Sequence, residues 1–383
     1  MKSPGLGFGP GFFVAGRPWR GDCAVALGLW GWSPFWAEQW GQGAYPGEPA
    51  RVVEAERNLY RIVTHDREQP AELSGRARYE LLAGEQWPAV GDFVAVTPGS
   101  RYQIRAVLPR RSLFARRMAG EQVGRQVVAA NIDIALVMQS ADADFNPRRL
   151  ERYLAMAYEG GVTPVVVLSK VDACSDPDWY IRQAADAAPG VPVLAVSAQT
   201  GAGLETLEQH VSPGRTVGLI GSSGVGKSTL TNVLLGEATQ ATGAVRPQDG
   251  RGRHVTTSRH LFLLPNGAMV VDTPGMRELG VVGDDDGLRD VFSDVAAWAP
   301  ACRYSDCRHV QEPGCAVQAA VLRGQLDPAR LDAWRKLERE MAYWARKEDR
   351  ERRAAHRRLW ARASREGRAN RRRKGQVPDD GSR

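Results

Sequence analysis

Apolar positions change rhythm twice along the chain. From Arg51 to about Leu113 they come in short runs broken by turn residues: RVVEAERNLYRIVTH, RARYELLAG, VGDFVAV and RYQIRAVLP. Such runs predict four or five strands of a small barrel. From Asn131 the runs become continuous, as in IDIALVMQS, TPVVVLSK, VPVLAVSA, TVGLIGSS and AMVVDTPG. Strands apolar on both sides are expected in a parallel sheet covered by helices, and stretches such as NPRRLERYLAMAYEG supply those helices. After Gly280 the sheet rhythm stops. A short cysteine-bearing segment follows, then a Leu/Trp-spaced helix over about 327–363. The fold class is therefore α/β, with an N-terminal β-barrel and a C-terminal, mostly helical module. The boundaries expected are an extension over 1–48, a barrel over 49–115, an α/β domain over 125–282, the cysteine module over 283–345 and a tail over 346–383.

Several of the buried strands run directly into a Gly- or Ser-containing polar segment, and sites of doubly wound sheets lie at such carboxyl ends. The clearest is GSSGVGKST, with the spacing of a phosphate-binding loop between an apolar strand and a helix former. Gly221, Ser222, Ser223, Gly224, Val225 and Gly226 would wrap phosphates with backbone N–H groups. Lys227 would reach the β and γ oxygens as a catalytic cation, and Ser228 and Thr229 open the helix, with Ser228 a Mg²⁺ ligand. Asp272 ends the strand VVD of VVDTPG, placed to hold Mg²⁺ directly or through water. Gly275 is placed to sense the γ-phosphate. Between them, AVRPQDGRGRHVTTSRH offers Thr256 or Thr257 as a second hydroxyl ligand to Mg²⁺.

The base-reading segments precede this loop. LSKVD ends one strand, with Ser169, Lys170 and Val171 leading to Asp172, whose carboxylate suits the N1–H and exocyclic amine of guanine. Lys170 would lie along the base. VSAQTG ends the next strand, with Ser197 and the Ala198 N–H facing guanine O6. Neither segment has a second candidate after Gly275. In this order they form a guanine-nucleotide site cut and rejoined, a permutation that surface-lying, neighbouring termini permit.

These motifs carry a resemblance to the YjeQ/RsgA family of circularly permuted, ribosome-associated GTPases. It covers roughly residues 27–345: GW-x-x-F, the barrel, the permuted order, GRHVTTSR, DTPGMREL and the cysteine spacing described below. The resemblance implies an OB-like barrel and GTP hydrolysis stimulated by the small ribosomal subunit, timing its late maturation and the protein's own release. Two positions depart from the pattern. Ser169 stands where such GTPases generally carry Asn, so the amide that braces the loops is expected to be lost. Val255 stands where the family usually has a first Thr. Met276 occupies the place of the water-orienting Gln, a substitution the family shares, and cannot orient water. His254 is the candidate replacement; its alternative is a phosphate or RNA contact.

CRYSDCRHVQEPGC places Cys302, Cys307, His309 and Cys315 in the spacing C-x4-C-x-H-x5-C, which the family also carries. Three thiolates and an imidazole complete a tetrahedral Zn²⁺ shell, so the site would be structural. The alternatives are disulfides, disfavoured in a cytoplasmic protein, or unrelated buried cysteines. Because DTPG lies just upstream, movement there would pass into this module. Cys23 and Cys174 have no such neighbours.

Charge is uneven. Of the formal +7, residues 346–374 contribute 14 Lys/Arg against 4 Asp/Glu, so the remainder is slightly acidic. The tail is expected to contact rRNA through phosphate neutralisation, or else to be a solvated end. In the barrel, Arg57, Tyr60, Arg61, Arg101, Tyr102 and Arg105 suggest a face that grips RNA by charge and stacking; a plain solvated basic face is the alternative. No apolar run is long enough for a transmembrane helix. The stretch 23–32 lacks a cleavage site after it, so a secretory leader is disfavoured and a cytoplasmic monomer expected. Residues 1–25 are taken as a poorly ordered or mis-started extension. Two competing functions are kept: an rRNA-binding assembly protein with a nearly silent nucleotide site, and a P-loop ATPase or kinase.

Overall fold

A computed structural model of the chain describes residues 27–56, 59–65, 67–75, 77–78, 87–117, 125–236, 259–272 and 285–343, with short pairings at 13–14 and 17–18 and single positions at 346, 350, 353 and 357. The barrel consists of β1 (Glu48–Glu56), β2 (Leu59–Val63), β3 (Glu68–Leu73), β4 (Phe93–Thr97) and β5 (Tyr102–Val107). Their order is β1-β2-β3-β5-β4, closed by pairing of β4 with β1, and only β3 and β5 run parallel. That closure removes the open edge of a five-stranded sheet and is the arrangement of an OB-like barrel. Ala50, Val52, Ile62, Val94 and Ile104 fill its interior.

Two sequence expectations change here. The third strand is Glu68–Leu73, not the RARYELLAG run, whose described residues 77 and 78 are helical. Pro70 disguises the strand, because it cannot donate to a ladder. It is tolerated opposite Arg61 of β2, beyond the Ala71–Leu73 stretch that pairs with β5. Tyr60 is 5% exposed and lies in the barrel core, so it is no stacking platform. Burial raises its hydroxyl to about 12. Arg57 lies outside the described residues.

A hairpin of β6 (Leu113–Arg117) and β7 (Arg125–Ala130) leads into the α/β domain. There β8 (Ile134–Ser140), β9 (Thr163–Ser169), β10 (Val193–Val196), β11 (Thr216–Gly221) and β13 (Met269–Asp272) run parallel in the order β10-β9-β8-β11-β13. β12 (Arg259–Leu263) is antiparallel to β13 and pairs on its other side with β1 through Arg259–Ala55 and His260–Glu54. One sheet thus runs from the α/β domain into the barrel. The strand bearing the phosphate loop is fourth of the parallel strands in chain order yet lies inside the sheet, the signature of the permutation.

Alternate residues feed two cores. Ala135, Val137, Val166 and Leu168 face α2 (Pro147–Glu159), α3 (Pro177–Ala187) and the C-terminal module. Leu136, Met138, Val165 and Val167 face α4 (Leu204–His210) and α5 (Lys227–Leu235). Asn146 and Asp176 cap α2 and α3 by accepting the Arg149 and Trp179 amides, each before a proline in the first turn. The module comprises α6 (Asp285–Val291), α7 (Ser293–Ala296), α8 (Ala316–Leu322) and α9 over 328–343. Arg330 fastens it to the sheet's covering helix: its guanidinium donates to Glu151 of α2 at 2.9 Å and to Asp294 at 2.9 and 3.0 Å, and lies over the Phe292 ring.

Arg51, 2% exposed, joins barrel and α/β domain. It donates to the Trp30 carbonyl, to Thr216 Oγ1 at 2.8 Å and to Met269 Sδ at 3.1 Å, and lies over Phe93. Burial lowers it to about 10, partly offset by Asp133 and Asp92. Trp36 and Trp40 of α1 (Pro34–Gln42) pack with Phe93, Ala95 and Leu108 in a separate small core, on the face of β4 opposite the barrel interior.

Candidate nucleotide site and metal centre

At the carboxyl edge of the parallel strands, β11 ends at Gly221 and α5 begins at Lys227. Gly224 and Gly226 have φ of +76° and +97°, which turn the loop back on itself in a conformation that costs side-chain-bearing residues steric strain. The six residues 221–226 thus form a concave run ahead of a helix N-terminus, where N–H groups and the helix dipole favour anions. Lys227 Nζ donates to the carbonyls of Gly221 at 2.8 Å and Ser222 at 2.5 Å, setting its ammonium across the loop. Ser228 and Thr229 occupy the first turn of α5.

β9 ends at Ser169, and Lys170, with φ +60°, swings the chain into a short 3₁₀ turn, Val171–Ala173, that presents Asp172 on the surface. β10 ends at Val196. Beyond it Ser197 N–H donates to Ala202 O at 2.9 Å and Thr200 N–H to Ser197 Oγ at 3.1 Å, closing a tight turn that carries Ala198. The amide is absent, yet a contact to the loop remains: Ser169 Oγ donates to Val225 O at 2.6 Å. A hydroxyl held by a buried strand end spans the gap for which an amide had been expected. It lies 3.3 Å from Gln139 O, but its single proton serves the shorter contact.

The segment expected to read the base through Asp172 and the loop expected to hold phosphates are therefore brought together, with Ser169 and Val225 in contact across 56 residues. Asp272 ends β13 opposite His260 of β12. His254, Thr256, Thr257, Gly275 and Met276 lie outside the described residues, as do the other residues of 273–284.

Motif reading missed the 141–146 loop, which leaves β8. Asp142 Oδ2 lies 3.2 Å from Lys170 Nζ, and Asp144 Oδ2 accepts from Ser222 Oγ at 2.8 Å and Arg149 Nη2 at 2.8 Å. One signal was available. QSADADFN follows a buried strand just as the recognised segments do, at the edge where such sheets place their sites.

In the module, Cys302 Sγ and Cys315 Sγ are 3.9 Å apart, each 3.5 Å from His309 Nδ1, and all four candidate ligand atoms, with Cys307, lie within 4.8 Å of one another. A tetrahedron with Zn–S near 2.3 Å and Zn–N near 2.0 Å has edges of about 3.5 to 3.8 Å, so the donor set fits a metal ion of that kind. His309 is held by its own backbone: its carbonyl accepts from Gln318 Nε2 at 2.7 Å and from Arg335. The Glu312 carboxylate gathers the amides of Arg308, Val310 and Gln311 at 2.8–3.1 Å. Together with its own amide, these hold its carboxyl down at about 2.

Comparison with known proteins agrees with this geometry. The RsgA GTPase family model matches residues 107–282. A Lactiplantibacillus plantarum protein named small ribosomal subunit biogenesis GTPase RsgA 2 is 45% identical over 295 residues, 76% of this chain and 83% of its own. A Streptomyces coelicolor protein named small ribosomal subunit biogenesis GTPase RsgA is 42% identical over 350 residues, 90% of this chain and 94% of its own. The crystal structure of YjeQ from Thermotoga maritima, 24% identical, superimposes with a TM-score of 0.57 over 77% of this chain and 98% of that one, a likeness of fold. With its permuted strand order, its phosphate loop and these relatives in accord, the chain belongs to the RsgA GTPase family.

Proposed function

We propose that this GTPase binds guanine nucleotide with Mg²⁺ along the carboxyl edge of its sheet and hydrolyses GTP on the small ribosomal subunit, timing late maturation of the subunit and its own release. The observation that carries the reading is the 2.6 Å bond from Ser169 to Val225, which links the segment expected to read the base to the loop expected to hold the phosphates despite their inverted order. The subunit assignment is supported by the names of the relatives, all biogenesis GTPases of that subunit.

In this reading Asp172 accepts the N1–H and amine of guanine, Lys170 and Val171 flank the base, and the Ser197–Ala198 turn offers an amide to O6. Residues Gly221–Gly226 wrap the phosphates. Lys227 exchanges its two carbonyl partners for β and γ oxygens. Ser228, Thr256 or Thr257, and Asp272 hold Mg²⁺ directly or through water; when bound, the ion neutralises charge between the β- and γ-phosphates. Gly275 follows the γ-phosphate. His254 orients the attacking water in place of a Gln that Met276 cannot replace, and the subunit stimulates turnover by ordering that segment. Cys302, Cys307, His309 and Cys315 hold a structural Zn²⁺, since the protein fills all four positions. The barrel and the basic tail contact rRNA. The protein acts as a cytoplasmic monomer; no described helix is long and apolar enough to cross a membrane.

Phosphate release from GTP and from ATP, with and without purified small subunits, tests this. The expected result is a GTP-selective rate that rises at least about tenfold with subunits and disappears in Lys227→Ala. An unchanged rate with subunits bound would sink the proposed stimulation, and equal rates on ATP would sink the guanine assignment.

A further inference from the structure

The strand order places β8 between β9, which ends at the base-reading segment, and β11, which ends at the phosphate loop. The loop leaving β8 therefore stands between the two halves of the site, and each of its carboxylates reaches a different half. Asp142 meets Lys170 Nζ at 3.2 Å and is itself fixed by Ser140 Oγ at 2.7 Å and the Asp144 amide at 2.8 Å. Asp144 meets Ser222 Oγ at 2.8 Å, with Arg149 gripping both its oxygens from the other side at 2.8 and 3.2 Å.

A role in folding does not account for the contact between Lys170 and Asp142. Lys170 and Asp142 are 44% and 42% exposed, and so wet an ion pair adds little to stability. Their location points to ligand binding. A lysine on a four-carbon stem samples many rotamers, and a ligand that uses it must first order it. A carboxylate that is itself held in place removes that cost in advance. The two negative charges do not repel an incoming nucleotide strongly, because each has a cation beside it, Lys170 or Arg149. Both carboxylates stay ionised at neutral pH. Burial works against the charge on Asp142, but hydrogen bonds from Ser140, the Asp144 amide and Lys170 outweigh it; Ser222 and then Arg149 hold the Asp144 carboxyl low.

We propose that the 141–146 loop is a third wall of the nucleotide site, in which Asp142 positions Lys170 along the base and Asp144 positions Ser222 and the first turn of the phosphate loop. Both are positioning residues, acting through Lys170 and Ser222. The inference rests on the guanine-nucleotide reading of this edge.

Calorimetric titration of the full chain with GDP and Mg²⁺ tests it through two double-mutant cycles: Asp142→Ala with Lys170→Ala, and Asp144→Ala with Ser222→Ala. Each single variant is expected to weaken GDP about tenfold, and each double to bind within about twofold of its weaker single, because the two residues act as one. IDP should lose affinity by the same factor as GDP in Asp142→Ala, since Lys170 does not read the exocyclic amine. A general loosening of the base segment would move that ratio. Asp142→Asn, which keeps the size and the Ser140 contact, should lose about threefold and serves if Asp142→Ala fails to fold. Wild-type affinity in both Asp142→Ala and Asp144→Ala, tighter binding, or single effects that multiply in the doubles would overturn the proposal. A wild-type chain that does not bind GDP would overturn the nucleotide reading on which it rests.

Discussion

In the cysteine module the candidate ligands already stand at tetrahedral spacing, whereas at the nucleotide edge the key side chains are engaged with the protein itself. His309 and Cys315 are buried, and the loop around them is tied by Glu312, Gln318 and Arg335. At the other site Lys227, half-buried, lies on its own loop carbonyls, contacts that its ammonium can exchange, while Asp142 holds Lys170. A structural centre has one state to specify. A switch has at least two, so its residues need partners that hold them in place and can still be given up. The difference lies in whether the functional atoms have somewhere else to go.

That contrast can be broken, starting with the largest expected effect. Cys315→Ser should abolish zinc retention and expose the 302–315 segment to protease, because metal binding in small modules is worth about 10–16 kcal/mol. GDP affinity should change less than about threefold, since the helices of the module keep their apolar contacts with α2. Metal content by mass spectrometry with limited proteolysis reads the first outcome and calorimetry the second. A large loss of GDP affinity would mean that the two regions are not independent. Next, Ser169→Ala removes the brace and leaves a buried carbonyl without that donor, a cost of about 1–2 kcal/mol. We expect GDP affinity to fall about tenfold while zinc content is unchanged. The smallest effect belongs to Glu312→Gln. It keeps one carbonyl acceptor for the surrounding amides but loses the charge, and should speed zinc transfer to a chelator about threefold. No change would show that the thiolates and imidazole hold the site unaided.

Much of this was legible in the sequence, for reasons that can be located. The five parallel strands could be read because burial on both faces forces continuous apolar runs. The candidate metal ligands could be read because four donors within 14 residues leave few alternatives. Segment order alone disclosed the permutation. The misses have a different origin. Strand β3 was hidden by Pro70 and two glutamates, residues that strand propensity rejects and a half-paired position accepts. Tyr60 was placed on the RNA-facing side, because alternation identifies two faces without saying which is inside. Ser169 appeared a loss because a motif records residue types, while the distance from that strand end to Val225 decides which side chain can reach. Asp142 and Asp144 became meaningful only once β8 was known to lie between β9 and β11, a fact of topology that no local pattern contains.

The pairing of β12 with β1 also bears on how the chain is made. A chain that folds as it is synthesised completes its barrel strands at Val107, long before residue 259 exists, and at about 5–20 residues per second the roughly 150 residues between them take about 8 to 30 s. For that interval the far end of β1 is an open edge able to recruit a strand from another nascent chain. Glu54 and Glu56, with Arg61 alongside on β2, put charge on that edge. Their first task is then to keep the edge unclaimed until His260 arrives.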